Sequence, residues 1–195
     1  LSAWGVIAAP RFLGRQQFAH TATRFQQKGA VSVSPVIIPN FSLHSISGTI
    51  SLALGLHGTN FGGGGGHGQL GEVLLAGLTT LRDPRLPGLW IVATQWDPEP
   101  IPDAHGKTTT PALGHAVALA LVAEPAAGCL GGLRLLNAAS AQRDDEDGVT
   151  GLARYIDRAG MTGISPPWRH DIPGLGRIEI ALDSARMSCP PVALA

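Results

Sequence analysis

An α/β fold is expected for this chain, and three observations predict it. Between Ser47 and Glu99 an apolar segment, a glycine loop, a helix-period segment and an apolar strand follow one another. Further apolar strand candidates lie on both sides of that stretch. Hydrophobic residues make up 44% of the 195 residues and charged residues only 14%, so most of the chain is meant to be buried around one core. Its 26 glycines and 15 prolines imply tight backbone packing and many turns.

Taken in order, Ala3 to Ala9 (AWGVIAA) reads as a short apolar strand closed by Pro10. Arg11 to Gln27 suits a helix with Phe12, Phe18, Ala22 and Phe25 on roughly one face, ended by Gly29. Two prolines in Val31 to Asn40 demote that segment to a sheet edge or a loop. Ile50 to Leu56 is expected as a buried strand or a strand-like turn of helix. Thr59 to Gly68 is a loop with five consecutive glycines, Gly62 to Gly66. Leu70, Val73, Leu74, Gly77, Leu78 and Leu81 recur at helical spacing and stop before Asp83-Pro84, so a helix is expected over Gln69 to Leu81. Leu89 to Thr94 is a strand entered through Pro87-Gly88. Ala112 to Ala123 reads as a fully buried strand, with Cys129 to Asn137 as its hairpin partner or neighbour. Gly151 to Ala159 suits a short helix, and Gly176 to Leu182 alternates cleanly as a strand.

The glycine loop therefore precedes a helix, where unpaired N–H groups and the helix dipole favour anions or reactive groups. It is not a nucleotide loop. His67-Gly68-Gln69 supplies neither the lysine nor the hydroxyl of a P-loop. Asp83 follows too closely to reach a ribose in the manner of a dinucleotide fold. His44, His57, His105 and His115 lack partners at ligand spacing, so no metal site and no cofactor are expected. Zero net charge without a basic block argues against nucleic acid. Two distant cysteines, Cys129 and Cys189, offer no disulfide framework and suit a reducing compartment. No apolar run is long enough for a membrane span, and the first residues lack a signal-peptide layout. The expectation is a soluble, cytoplasmic protein with no membrane partner. The acidic run Asp144 to Asp147 reads as a solvated turn.

Several motifs, in chain order, carry a resemblance. AWGVIAAP resembles an opening strand written around G-[WI]-G-V-V-[ST]-P, and SPVIIPN a segment that lines a dimer-facing cavity. SGTISLALGLHGTNF is similar to A-G-x-[IV]-[SA]-[IL]-x-x-G-[LI]-x-G-P-[NS], with Thr59 where proline is usual. LWIVATQWDPEP resembles a strand ending in A-G-G-[TS]-E-[AP], with Glu99 in place of its glutamate. GHAVALALVAE resembles G-E-G-A-[GA]-[VA]-L-[VL]-L-E-[ED], with Glu124 at its end. Residues 1–136 thus resemble the N-terminal half of a β-ketoacyl synthase, a thiolase-like enzyme. The resemblance implies a thiolase-like half with a mixed sheet packed on a buried central helix, and a C-terminal extension (residues 137–195) packed on the same domain. Gly71, Ala76 and Gly77 would let that helix lie between sheet layers.

The departures decide what function the resemblance implies. The family places a nucleophilic cysteine at the start of its buried helix, where it is activated for acyl transfer. That position falls on His67, or on Gly66 with a loop one residue shorter, and neither is a cysteine. Cys129 lies on another strand and Cys189 in a proline-flanked tail. Nothing after Asn137 resembles H-G-T-x-T or N-S-F-G-F-G-G-H, the segments bearing the family's two histidines. NFGGGGGHG itself looks like the second of these, but it leads into a helix rather than a strand hairpin.

By resemblance, then, the chain is a non-catalytic subunit of chain-length-factor type. It would pair with a full-length ketosynthase, meet acyl carrier protein through that complex, and help shape an acyl tunnel in polyketide or fatty-acid-like biosynthesis. Phe41, Asn60, Phe61, Gly66 and His67 would line the tunnel. Ile37, Ile38, Leu89, Trp90, Ile91 and Val92 would form the interface, with Leu89 to Thr94 as an edge strand in need of cover. Two other readings stand beside it: an enzyme using His67 as a base in thioester hydrolysis or decarboxylation, and a degenerate structural module. For His67 the plainer role is helix capping or packing, and for His115 a hydrogen-bonded place in the core.

Overall fold

A computed structural model describes residues 1–103, 105, 107–108, 111–137, 148–162 and 166–183. Its elements in chain order are β1 (Gly5–Pro10), α1 (Arg15–Lys28), a 3-10 turn (Ala30–Ser32), α2 (Ile37–Phe41), α3 (Leu43–Leu54), β2 (Asn60–Gly62), α4 (Gln69–Thr80), β3 (Leu89–Asp97), β4 (Leu113–Leu121), β5 (Gly131–Leu136), α5 (Gly148–Thr162), β6 (Trp168–Ile172) and β7 (Gly176–Leu182). The fold is mixed α/β. Asp144 to Asp147 and Cys189 lie outside the described residues.

Two sheets are formed. The first has the order β2-β1-β3-β4, with β1 parallel to β2 and β3, and β4 antiparallel to β3. The second is a three-stranded antiparallel sheet in the order β5-β7-β6. Its strands come from both sides of residue 136, the sequence boundary between the ketosynthase-like segment and its extension. One continuous core joins Ile7, Ile91 and Val117 of the first sheet to Trp168, Ile178 and Ile180 of the second.

Helix α4 lies between the two sheets, and its sequence explains why. Leu70, Val73 and Leu74 are fully buried, each contributing about 1.5–3 kcal/mol as burial of such side chains does. Two glycines let opposite faces of the helix approach strands. A Cβ at Gly77 would stand 2.8 Å from Cδ1 of Ile91 on β3, and one at Gly71 would stand 3.0 Å from the His170 ring on β6. The expectation of a helix packed between sheet layers through small residues holds for Gly71 and Gly77. Residue 76 is half-buried.

Several sequence expectations are corrected. Leu89 to Val92 does not form an edge strand: β3 is hydrogen-bonded on one side to β1 and on the other to β4. Leu89 and Ile91 are therefore core residues, Ile91 being 1% exposed, while Trp90 and Val92 are half-buried on the opposite sheet face. Strand pleating separates these pairs, so the four residues do not form one contact surface. Ile50 to Leu56 is no strand. It belongs mostly to α3, a helix whose one buried residue is Ser47. Ala112 to Ala123 is not fully buried, because β4 ends the sheet and Val117 is its one buried residue. Cys129 to Asn137 does not pair with β4; β5 pairs with β7. Val31 to Asn40 supplies a 3-10 turn and α2 rather than an extended edge. Strand β6 was not expected from sequence at all.

Among the described residues, no helix is long and apolar enough to cross a membrane.

Candidate functional site

The carboxyl ends of the three parallel strands lead to one place. β1 ends in Pro10 and continues into Arg11-Phe12, β2 continues into the glycine loop, and β3 ends in the segment from Thr94 to Asp97. In open α/β sheets the crevice outside these ends is where ligand sites form. The loop is built by close backbone approach. A Cβ at Gly62 would fall 2.0 Å from the Leu43 carbonyl oxygen at the start of α3, so β2 and α3 can pack this closely only through glycine. Gly64 has φ +73°, and a Cβ there would lie 2.6 Å from that of Gln69.

Gln69 is the first residue of α4 and is 1% exposed. Its Nε2 donates to the Thr94 carbonyl at 3.1 Å, tying the helix start to the end of β3. One residue further along β3, Gln95 Oε1 accepts from the Val149 N–H at 3.2 Å and ties down the first turn of α5. Adjacent residues of one strand thus anchor the N-termini of two helices.

His67 is exposed and stands just before Gly68, the N-cap of α4. Its side chain turns toward β1. Nδ1 lies 2.7 Å from Nη2 of Arg11, and the ring meets Phe12 edge-on with 4.9 Å between centroids. A guanidinium only donates, so Nδ1 is the acceptor in this contact. Phe12 is held at φ +52°, a left-handed conformation costing on the order of 1–3 kcal/mol in a non-glycine residue. Its N–H donates to Gly65 O at 3.1 Å. The guanidiniums of Arg11 and Arg15 lie 5.4 Å and 4.7 Å from the Phe12 ring centroid. Arg15 also pairs with Glu99. Among the described residues no carboxylate pairs with Arg11.

The expected tunnel residues are only partly brought together. Gly66 and His67 lie at the helix entrance. Phe61, on β2, packs against the core. Asn60 stands opposite Val6 of β1, and its Oδ1 is buried without a protein partner. Phe41 lies against the start of α1: a Cβ on Gly14 would stand 2.8 Å from its Cβ. Leu43, two residues on, is the side chain that touches Gly65. Arg11, Gln69 and Gln95 are not among the site residues expected from sequence, and Phe12, expected on the apolar face of a helix, instead precedes α1. The signal available was position, since Arg11 and Phe12 directly follow the first strand of an α/β pattern.

Chemically, the arrangement offers hydrogen-bond donors and positive charge without a nucleophile. From Asn60 to Gln69 there is no Cys, Ser or Thr. Cys129 sits in the turn between β4 and β5, where its Sγ accepts from the Ala126 N–H at 3.2 Å. Among the described residues no group of three or more His, Cys, Asp or Glu side chains is placed to hold a metal. No protein-family model matches the chain, and no curated protein matches it.

Proposed function

We propose that the chain is a non-catalytic, ketosynthase-like subunit of chain-length-factor type, with a thiolase-like half as its scaffold. It pairs with a full-length β-ketoacyl synthase, meets acyl carrier protein through that complex, and helps to shape the acyl tunnel. The observation that carries this reading is α4: a helix between two sheets, entered through a glycine loop, with His67 rather than a thiol at its mouth. A ketosynthase needs a nucleophile there. A subunit that only shapes the cavity does not.

The enzyme reading built on His67 is weakened by the same geometry. Nδ1 is engaged by the Arg11 guanidinium, and no Cys, Ser or Thr stands between Asn60 and Gln69 to be activated. For pairing, the chain offers an uncharged surface. From Gly29 to Gly71 there is not one Asp, Glu, Lys or Arg, and within this stretch Val31, Val36, Ile38, Leu52 and Leu54 are exposed. Of the six interface residues expected from sequence, Ile38 on α2 stands out in solvent at 68%. Apolar surface of this kind marks contact sites.

The test is co-expression with a candidate ketosynthase, followed by affinity capture of one chain. Co-elution at equal stoichiometry, and its loss in Ile38→Asp, is the expected result. A chain that captures no ketosynthase and forms a covalent acyl adduct with acyl carrier protein thioesters would overturn the reading.

A further inference from the structure

Helix α1 turns a polar side toward the protein and its aromatic side outward. None of its 14 residues is buried. Gln16 and Thr23, on one face, are half-buried, and Gln16 Nε2 donates to Thr108 Oγ1 at 2.9 Å. The opposite face carries Phe18, Ala22 and Phe25 at helical spacing, and all three are exposed, the two rings at 45% and 53%. A helix of this length is ordinarily held by packing its apolar face, whereas α1 presents that face to solvent. Arg24 and Lys28 stand on one border of the aromatic stripe. Both are exposed, and among the described residues neither pairs with a carboxylate. Arg15 stands on the other border and is paired with Glu99. Charge around the stripe keeps one sign over a long stretch of chain. The first acidic residue in the sequence is Glu72, and the cations before it are Arg11, Arg15, Arg24 and Lys28.

We infer that this face of α1 docks on an anionic phospholipid surface. Phe18 and Phe25 sit at the boundary of headgroups and acyl chains, and Arg24 and Lys28 lie at the level of the lipid phosphates. Charge complementarity selects this occupant. An apolar stripe bordered by cations is the pattern of a helix that lies in the membrane interface, where each cation gains from the negative leaflet. No acidic residue before Glu72 stands to be repelled by the phosphates. The stems of Arg24 and Lys28 are long enough to follow the rings down while their charged ends stay in water. Two rings seven positions apart form a row about 10 Å long on the helix, which suits a plane rather than a socket. Among the described residues no helix is long and apolar enough to cross a membrane, but lying on one makes no such demand of length. This inference does not rest on pairing with a ketosynthase, whose proposed contact surface is the uncharged stretch from Gly29 onward.

The experiment is co-sedimentation of the purified chain with large unilamellar vesicles. One set is phosphatidylcholine alone, and the other is phosphatidylcholine and phosphatidylglycerol in equal parts. Binding is expected on the mixed vesicles only, and it should weaken in high salt. Arg24→Gln/Lys28→Gln should weaken it about 30-fold, as for two cations removed from an anionic surface. Phe18→Ser/Phe25→Ser should weaken it about tenfold or more, as for rings that no longer leave water. Both variants should keep the far-ultraviolet circular dichroism spectrum of the wild type, because α1 buries no residue. A wild type that stays in the supernatant with the mixed vesicles would overturn the inference. So would equal binding to both vesicle types, or binding that survives the serines. Retention on immobilised poly-glutamate by a chain that ignores the vesicles would overturn it as well, and would assign the face to an acidic protein. Ketosynthase capture is read by co-elution without lipid, so the two readings fail separately.

Discussion

Arg11 and His67 are 56 positions apart in sequence and meet at 2.7 Å, guanidinium Nη2 to imidazole Nδ1, at the mouth of α4. This contact holds the His67 side chain at the entrance of α4, beside the residue that follows β1. It engages one of the two ring nitrogens of His67. His67→Ala should leave the fold intact, with stability changed by no more than about 0.5–1 kcal/mol, as for an exposed hydrogen-bonded side chain. Intact-mass measurement after incubation with acyl- and malonyl-carrier proteins should show no acyl adduct in either the wild type or the variant. An adduct present in the wild type and absent from the variant would make His67 a nucleophile.

The five glycines of the loop are unequal, although the sequence presents them as one run. Gly62 lies against the Leu43 backbone, whereas a Cβ on Gly66 would meet nothing within 4 Å. Gly62→Ala should therefore push β2 from α3 and cost about 2 kcal/mol or more, since backbone cannot yield as a side-chain tip can. Gly66→Ala should be neutral within about 0.5 kcal/mol, or slightly stabilising through a less flexible unfolded chain. Thermal melts of the two variants decide this. Equal losses would contradict the loop geometry.

Ile91→Asp separates the core reading of β3 from the interface reading. The side chain lies against Gly77 of α4 and is 1% exposed, so a carboxylate there has no water and no cation. The variant should lose its cooperative melt, with a cost above about 4 kcal/mol. Ile38→Asp, on exposed α2, should melt like the wild type. If Ile91→Asp folds normally, Ile91 does not lie where the structure places it.

The contrast between those two isoleucines shows what the sequence could reveal. The glycine loop, the span of α4 and the strand character of β1, β3 and β7 were legible, because period and punctuation are local signals. Apolar runs alone could not say which surface they face. LHSISGTISLAL of α3 and LWIVATQ of β3 are both apolar, yet α3 buries Ser47 alone while β3 is a central strand. Strand position in a sheet is a long-range property, and the partners of β3 lie in β1 and β4. β6 was illegible because Arg169 and Asp171 break its apolar pattern. Among the described residues, Glu179 and Arg177 on β7 supply their partners. The Arg11–His67 contact is likewise created by the sheet, which brings the end of β1 beside the loop after β2.

The second sheet carries a carboxylate whose loss should be read as a pH effect. Glu179 on β7 is 1% exposed and accepts from Arg134 on β5 at 2.8 Å and from Arg169 on β6 at 2.9 Å. These hydrogen bonds, that from Arg134 foremost, hold the carboxyl below the usual glutamate range despite the opposing effect of burial. A pKa lower in the folded chain than in the unfolded chain means that the unfolded state binds the proton more tightly. The stabilisation is therefore complete above the ordinary glutamate value of about 4.3. It is lost as pH falls below that value toward the depressed folded one. Both arginines keep access to water, so Glu179→Gln should cost about 1–3 kcal/mol, as for loss of a charged hydrogen bond, rather than the larger figure for a buried cation left unpaired. Denaturant melts of wild type and Glu179→Gln at pH 7 and at pH 3 test the assignment. The gap between the two proteins should be widest at pH 7 and should narrow at pH 3. A gap that is unchanged or wider at pH 3 would show that the carboxylate does not bridge the three strands.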